Sequence, residues 1–325
     1  MSRRRLIVAL VLLGLLAPWL TPSPRAAAPL PRLGIVTPGE RGPGPLAFEK
    51  ALPGLGWIPG QNVLLEYRHA RGDLAAIPRL VAELIALDVR IIVSSSQAIP
   101  AAVAATRSIP IVMAFAVDDP VEQGWAASLA RPGGNVTGVT LYVPELTAKR
   151  LEILKHIVPG LGRVGILAPR GAGGPGQAAV AEQAARALGL SAHVERIGGV
   201  GDYAPAFDAM KRAGVQGVLV LSSSAFFAER QRISELAVRH RLPLASPFRE
   251  ISDAGGLLAY GPSITGLWSE RVPFYVDRLL KGSRPGDLPI EQPTTFEMVL
   301  NLKTARALGL SIPRSLILRA DRVIE

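Results

Sequence analysis

Val89-Arg90-Ile91-Ile92-Val93-Ser94-Ser95-Ser96-Gln97 is an apolar run that stops at three serines and then opens a helix-like stretch. The same grammar returns at Gly217-Val218-Leu219-Val220-Leu221-Ser222-Ser223-Ser224, 128 residues downstream. A short β-branched run bounded by hydroxyl residues reads as a buried strand feeding a helix N-terminus. Two such copies in one chain point to two similar halves. Each triplet reads as a strand end that faces a ligand.

Working outward, the rest of the chain repeats as well. Leu33-Gly34-Ile35-Val36-Thr37-Pro38 is echoed by Val164-Gly165-Ile166-Leu167-Ala168-Pro169, and Ile109-Pro110-Ile111-Val112-Met113-Ala114 by Leu242-Pro243-Leu244-Ala245-Ser246-Pro247. Between these lie apolar patterns of helical spacing, which predict helices at 46–55, 77–87, 99–106, 178–188, 203–213 and 226–240. Strands alternating with helices of this length imply parallel sheets built by right-handed crossovers. A repeat of this size means two domains, since a solenoid repeats every 20 to 50 residues. The expected fold is therefore α/β, with two doubly wound, Rossmann-like lobes whose strand ends share a crevice. A further long helix is expected at 264–280. The expected boundaries are 32–143 plus about 263–290 for lobe one, and 144–262 plus about 291–325 for lobe two.

The 325 residues are 49% hydrophobic and 19% charged, which excludes a disordered chain. There is no cysteine, so disulfides, thiol chemistry and a lipid-modified N-terminal cysteine are all excluded. Arg3, Arg4 and Arg5 precede the apolar stretch from Leu6 to Leu20, and Ala26-Ala27-Ala28 supplies the small residues of a cleavage site. This is a signal-peptide pattern, too short in its apolar core for a bilayer span, and it predicts export with cleavage near Ala28. Losing that segment takes the formal charge from +10 to +6. The remaining basic residues are scattered without interleaved aromatics, so nucleic acid is not an expected partner.

Hydroxyls and free N–H groups at a helix start suit a carboxylate or phosphate. Ser95, Ser96 and Gln97 in one half, with Ser222, Ser223 and Ser224 in the other, are the candidates. Simple N-capping is the competing role. Asp118-Asp119-Pro120 follows the strand at 111–115, where one carboxylate suits a ligand ammonium group and Asp119 alternatively caps a helix begun by Pro120. Phe226, Phe248 and Tyr260 fall near strand ends of the second half, where they either stack on a ligand or fill the core. Catalysis has little support. His69, His156, His193 and His240 lack metal-binding spacing, Arg131 to Gly138 lacks the features of a phosphate loop, and neither triplet sits in a Gly-x-Ser-x-Gly elbow. No enzyme, metal or cofactor is expected.

From Asp119-Pro120-Val121 through Ser128-Leu129-Ala130-Arg131-Pro132-Gly133-Gly134-Asn135-Val136-Thr137-Gly138-Val139-Thr140, the chain closely resembles one group of exported substrate-binding proteins of ABC transporters. These are related to tryptophan- and tyrosine-binding components and have the type I periplasmic binding protein fold. The resemblance continues at Glu145-Leu146, Lys149-Arg150-Leu151-Glu152, Ala254-Gly255-Gly256-Leu257, Tyr260-Gly261-Pro262-Ser263, Asn301-Leu302-Lys303-Thr304-Ala305 and Leu318-Arg319-Ala320-Asp321. It implies a two-lobed periplasmic receptor that closes on a small solute and presents it to a membrane permease. The serines and Asp119 add the expectation of an amino acid-like ligand, its carboxylate at the serine end of a lobe-one helix and its ammonium near Asp119. A ligand sensor read by a membrane signalling partner is the alternative. By position, it places the cleft on Thr37, Ser95, Ser96, Gln97 and Asp119 in lobe one, and on Ser222, Ser223, Phe248 and Tyr260 in lobe two. One departure is Ala168-Pro169-Arg170, where relatives often carry Asn-Pro.

Overall fold

The computed structural model describes residues 29–171 and 173–325. The expected signal segment lies outside the described residues. The first sheet takes β1 (Arg32–Thr37), β2 (Leu64–His69), β3 (Ile91–Ser95), β4 (Ile111–Ala116), β5 (Val136–Thr140) and, late in the chain, β11 (Ile290–Glu291). Its strand order is β11-β5-β4-β3-β1-β2 and every pair is parallel.

The second sheet takes β6 (Arg163–Pro169), β7 (Ser191–Ile197), β8 (Gly217–Val220), β9 (Leu244–Ser246), β10 (Leu258–Gly261), β12 (Glu297–Asn301) and β13 (Arg322–Ile324). Its order is β13-β12-β10-β9-β8-β6-β7, and β10–β12 is its antiparallel pair. Read from the middle, the two sheets have the same winding: β2-β1-β3-β4-β5 corresponds to β7-β6-β8-β9-β10. The order reverses beside β1 in one and beside β6 in the other, so the switch points fall at Thr37/Ser95 and Pro169/Ser222, where doubly wound sheets bind ligands.

Helices cover both sheets. In lobe one these are α1 (Pro43–Ala51), α2 (Ile77–Ala86) and α3 (Ile99–Ala105). Pro43 and Pro45 open α1 at no cost, because the first turn has no intrahelical partner for their missing N–H groups. After β5 the chain crosses into α4 (Pro144–Ile157), a helix whose apolar face packs under the second sheet through Leu151, Ile153, Leu154 and Ile157. Lobe two continues with α5 (Gly174–Ala187), α6 (Tyr203–Arg212), α7 (Ser224–Ala228), α8 (Arg230–Arg239) and α9 (Arg249–Asp253). The second crossing gives α10 (Ile264–Gly266), a π-helical turn at Leu267–Arg271, and α11 (Val272–Leu280). Two short helices close the chain, α12 (Leu302–Leu308) and α13 (Arg314–Ile317).

Three places depart from the sequence expectation. The helix expected over 226–240 breaks at Glu229 into α7 and α8. The helix expected from 264 contains the π turn, whose wider winding rotates α11 relative to α10. Pro120 starts no helix: the chain makes tight turns there, with Gln123 N–H donating to the Asp119 carbonyl at 3.0 Å and Trp125 N–H to that of Pro120 at 2.9 Å.

The central strands are buried on both faces, as parallel sheets between helices require, while the edge strands β2, β7 and β13 stay half-buried or partly exposed. In β1, Leu33 to Thr37 are all buried, and so is every residue of β3, β4 and β5. Gly138 in β5 is a packing requirement. Its φ is +123°, and a Cβ there would lie 2.2 Å from the Met113 carbonyl oxygen in β4. Among the described residues no helix is long and apolar enough to cross a membrane.

Candidate functional site

The two serine triplets, 128 residues apart, meet face to face. Ser95 ends β3 and Ser224 begins α7, and their hydroxyl oxygens are 3.3 Å apart. Ser224 N–H donates to the Ser96 hydroxyl at 3.4 Å. Gln97 Oε1 accepts from the hydroxyls of Ser96 at 2.6 Å and Ser223 at 3.3 Å. Gln97 Nε2 and Ser94 Oγ are buried without a hydrogen-bond partner among the described residues. Burying such a group unpaired costs about 1–3 kcal/mol, so at Gln97 the junction carries unmet hydrogen-bonding capacity.

Beside it lies a cavity of about 410 Å³ with walls from both lobes. From lobe one come Thr37, the loop from Gly39 to Gly42, the first turn of α1, Ser95 and Phe115; from lobe two come Ser224, Phe227, Ala228, Glu229 and Arg230. Ile264 and Trp268, after the second crossing, complete it. Hydroxyls, aromatic rings and charges of both signs thus share one space of small-molecule size.

Each wall residue has a local cause. The Thr37 hydroxyl donates to the Gly39 carbonyl at 3.2 Å and lies 2.8 Å from His69 Nδ1, so the turn after β1 is pinned to the end of β2. His69 stacks on Tyr67, and burial, reinforced by Arg41 and Arg71, holds its pKa below the usual imidazole value. Gly44 lets Trp268 approach α1: a Cβ there would be 2.6 Å from the indole. Trp268 in turn meets Phe48 edge-on at 6.4 Å, which fixes the ring plane. Arg41 pairs with Glu49 and lies 4.6 Å over the Tyr67 ring.

The break at Glu229 shapes the lobe-two wall. Successive helix residues point about 100° apart, so Phe226 and Phe227 diverge. Phe226 is buried edge-on against Tyr203 at 6.1 Å and lines a smaller void of about 120 Å³, while Phe227 faces the 410 Å³ cavity. Arg230 opens α8, places its guanidinium 5.4 Å from the Phe227 ring centre and donates to the Phe227 carbonyl at 3.0 Å.

Of the residues singled out from sequence, Thr37, Ser95 and Ser224 line the 410 Å³ cavity. Ser96, Gln97 and Ser223 sit in the interlobe junction, and Ser223 also caps α7 by accepting from Ala225 N–H at 3.1 Å. Ser222 is held by Gln177, which accepts from its N–H at 2.9 Å and donates to its carbonyl at 3.0 Å. It lines two separate small voids with Arg150. Asp118 faces Gly173 of lobe two, and burial raises its pKa above the usual carboxylate range. Asp119 Oδ1 accepts from Val121 N–H at 2.8 Å and Glu122 N–H at 3.4 Å, a capping arrangement on a turn. Phe248 is fully buried behind Phe227, edge-on at 5.6 Å. The Tyr260 ring lies against Phe296, and its carbonyl accepts from the buried Arg150 Nε at 2.7 Å. Asp118, Asp119, Phe248 and Tyr260 do not line the 410 Å³ cavity.

Glu40, Phe115, Phe227, Arg230 and Trp268 were not singled out by the sequence reading. Phe115 and Phe227 carried a weak signal, as residues at the end of a strand and at the start of a helix. Trp268 carried none, because its place in the wall depends on a crossing between lobes.

Residues 46–324 match the family described as ABC transporter substrate binding protein. A tyrosine-binding protein of Clostridioides difficile is 34% identical over 121 residues, which is 37% of this chain and about a third of that protein. Among solved structures, a conserved domain protein of Vibrio cholerae superposes with a TM-score of 0.83 at 22% identity, over 91% of this chain and 100% of the other. A Streptococcus ABC domain in complex with L-Trp gives 0.82 at 22% identity, with the same coverage. A ligand-free, open substrate-binding protein of Clostridium difficile gives 0.62 at 21%, over 91% and 99%. With two matched sheets, a cavity walled by both lobes and a family match over nearly the whole described chain, this protein belongs to the ABC transporter substrate-binding proteins.

Proposed function

We propose that this protein captures an amino acid-like solute in the 410 Å³ cavity between its lobes and delivers it to an ABC transporter permease. The observation that carries the reading is the composition of that cavity. Lobe one brings hydroxyls at Thr37 and Ser95, lobe two brings Ser224, Phe227 and Arg230, and Trp268 closes the apolar side. A ligand touching both lobes stabilises the closed arrangement by its differential affinity, which is the signal a permease reads. The tyrosine-binding relative and the L-Trp complex of a structural neighbour support an amino acid with an aromatic side group. The cavity's aromatic wall suits such a group. The N-terminal segment is read as a cleaved export signal, and the mature protein as periplasmic.

Purified protein screened by thermal shift against amino acids, small organic acids and purine-like compounds tests this. The expected outcome is a raised melting temperature with aromatic amino acids. Ligand at a hundred times its Kd contributes about 2.7 kcal/mol to native stability. Chemical turnover of the bound compound, or a shift with purines alone, overturns the reading. Export is checked by N-terminal sequencing of the periplasmic form, expected to begin near Ala28. Delivery is checked by ligand-dependent stimulation of ATP hydrolysis when the protein is added to its reconstituted permease.

A further inference from the structure

Four charged side chains stand in the cavity wall: Glu40 and Arg41 from lobe one, Glu229 and Arg230 from lobe two. Two are already neutralised by a neighbour. Arg41 pairs with Glu49, and Glu229 with Arg232 at 3.0 Å. Glu40 and Arg230 form no ion pair with any described residue. They differ in sign and belong to different lobes.

The backbone brings them to one place. Gly39, next to Glu40, lies against α7, since a Cβ on it would be 3.1 Å from Ala228 Cβ and 3.6 Å from the Ser224 carbonyl oxygen. Two residues beyond Glu40, Gly42 similarly approaches the Phe227 ring, with its would-be Cβ 4.0 Å from Cε1. Glu40 is thus bracketed by contacts to the helix that precedes Arg230. Arg230 lies over the Phe227 ring and donates one hydrogen bond to the Phe227 carbonyl, which leaves its other guanidinium donors for a ligand. Glu40 is exposed, whereas the wall residues Phe115 and Trp268 are buried. The cavity therefore has an interior of buried rings and hydroxyls and a rim with one charge of each sign that no described residue pairs.

We propose that Glu40 and Arg230 are the two poles that read a zwitterionic head group, Glu40 taking the ammonium and Arg230 the carboxylate. This rests on the amino acid reading above and specifies how that class is selected. Because each pole belongs to its own lobe, a ligand carrying both charges ties the lobes together, and one carrying a single charge engages one lobe only. The serines of the junction then serve the closure, with Ser95 and Ser224 as hydroxyl partners beside the head group.

The test is isothermal titration of three probes into native protein and the variants E40Q, R230Q and R230K: L-tryptophan, tryptamine, which lacks the carboxylate, and indole-3-propionate, which lacks the ammonium. Native protein is expected to bind tryptophan tightest. R230Q loses about ten- to a hundredfold for tryptophan and indole-3-propionate and leaves tryptamine unchanged; E40Q does the same to tryptophan and tryptamine and spares the acid. R230K retains the charge and most of the discrimination. Native protein that binds tryptophan, with variants that lose all three probes equally or none, overturns the two-pole assignment and leaves the amino acid reading standing. Native protein that binds none of these, nor tyrosine, tyramine and 4-hydroxyphenylpropionate in a parallel set, overturns both. Unliganded melting temperatures within about 2 °C of native are expected for each variant, as for surface changes generally.

Discussion

Ser94-Ser95-Ser96 and Ser222-Ser223-Ser224 occupy the same place in two sheets of the same winding, yet they are built differently. In lobe two the triplet behaves as its residues prefer: Ser223 is extended, caps α7 through Ala225 N–H, and the helix starts at once. In lobe one Ser95 is extended but caps nothing, the β3–β4 register shifts at Ser94/Ser95, and Ser96 has a φ of +50°. A left-handed serine costs energy that an ordinary cap would have avoided. The strain provides orientation: the Ser95 hydroxyl reaches Ser224, and that of Ser96 reaches Gln97 and the Ser224 N–H. One triplet anchors a helix, and the other is held open toward its counterpart.

The contrast is broken most severely by adding a β-branched side chain at the strained position. Ser96→Val is expected to destabilise by about 1–3 kcal/mol, because branched residues resist the left-handed region, while Ser224→Val in the first turn of α7 costs a few tenths. Urea denaturation of both variants measures the difference, and equal losses would remove the claim of strain. Next in size, Ser223→Ala should cost about 1 kcal/mol by loss of the cap, against about 0.5 kcal/mol for Ser95→Ala, which forfeits one long hydroxyl contact and whose main effect should fall on ligand affinity. Chemical denaturation paired with titration of the ligand separates the two.

The smallest expected effect is one of pH, and it too divides the lobes. Thr37 of β1 pairs in register with His69, and the corresponding pair in lobe two is Pro169 with Ile197, which do not titrate. Burial lowers the folded pKa of His69 from 6.5, so the unfolded chain takes up a proton before the folded one does. Stability from this group is complete above about pH 6.5 and declines as pH falls from there toward the lowered folded value. His69→Gln should flatten the pH dependence of the melting temperature between pH 7 and 5, and an unchanged slope would assign the dependence elsewhere.

How far the sequence could be read depends on how local each feature is. The strands were legible because Val89–Val93 and Gly217–Leu221 are short apolar runs bounded by polar residues. Their pairing in parallel came from the helices between them. The break at Glu229 was not legible, since the apolar spacing through 226–240 is continuous and the interruption depends on packing. Nor was the turn at Pro120: Asp119 does cap, as its side chain allows, but the chain turns back before a helix forms. The site divides along the same line. Thr37 and Ser95 stand at strand ends, where the winding alone points to a crevice, whereas Glu40, Arg230 and Trp268 gain their roles from contacts between segments nearly 200 residues or more apart.

The sequence by itself determined two doubly wound halves, the strand ends that flank the crevice, and, through its long ordered resemblance, the family. These depend on periodicity, chain direction and local turn chemistry, which act over a few residues at a time. Only the tertiary structure decided which triplet caps and which is strained, which charges remain unpaired and which rings face the cavity. Those outcomes depend on what the opposite lobe brings within a few ångströms, and no local stretch of chain carries that information.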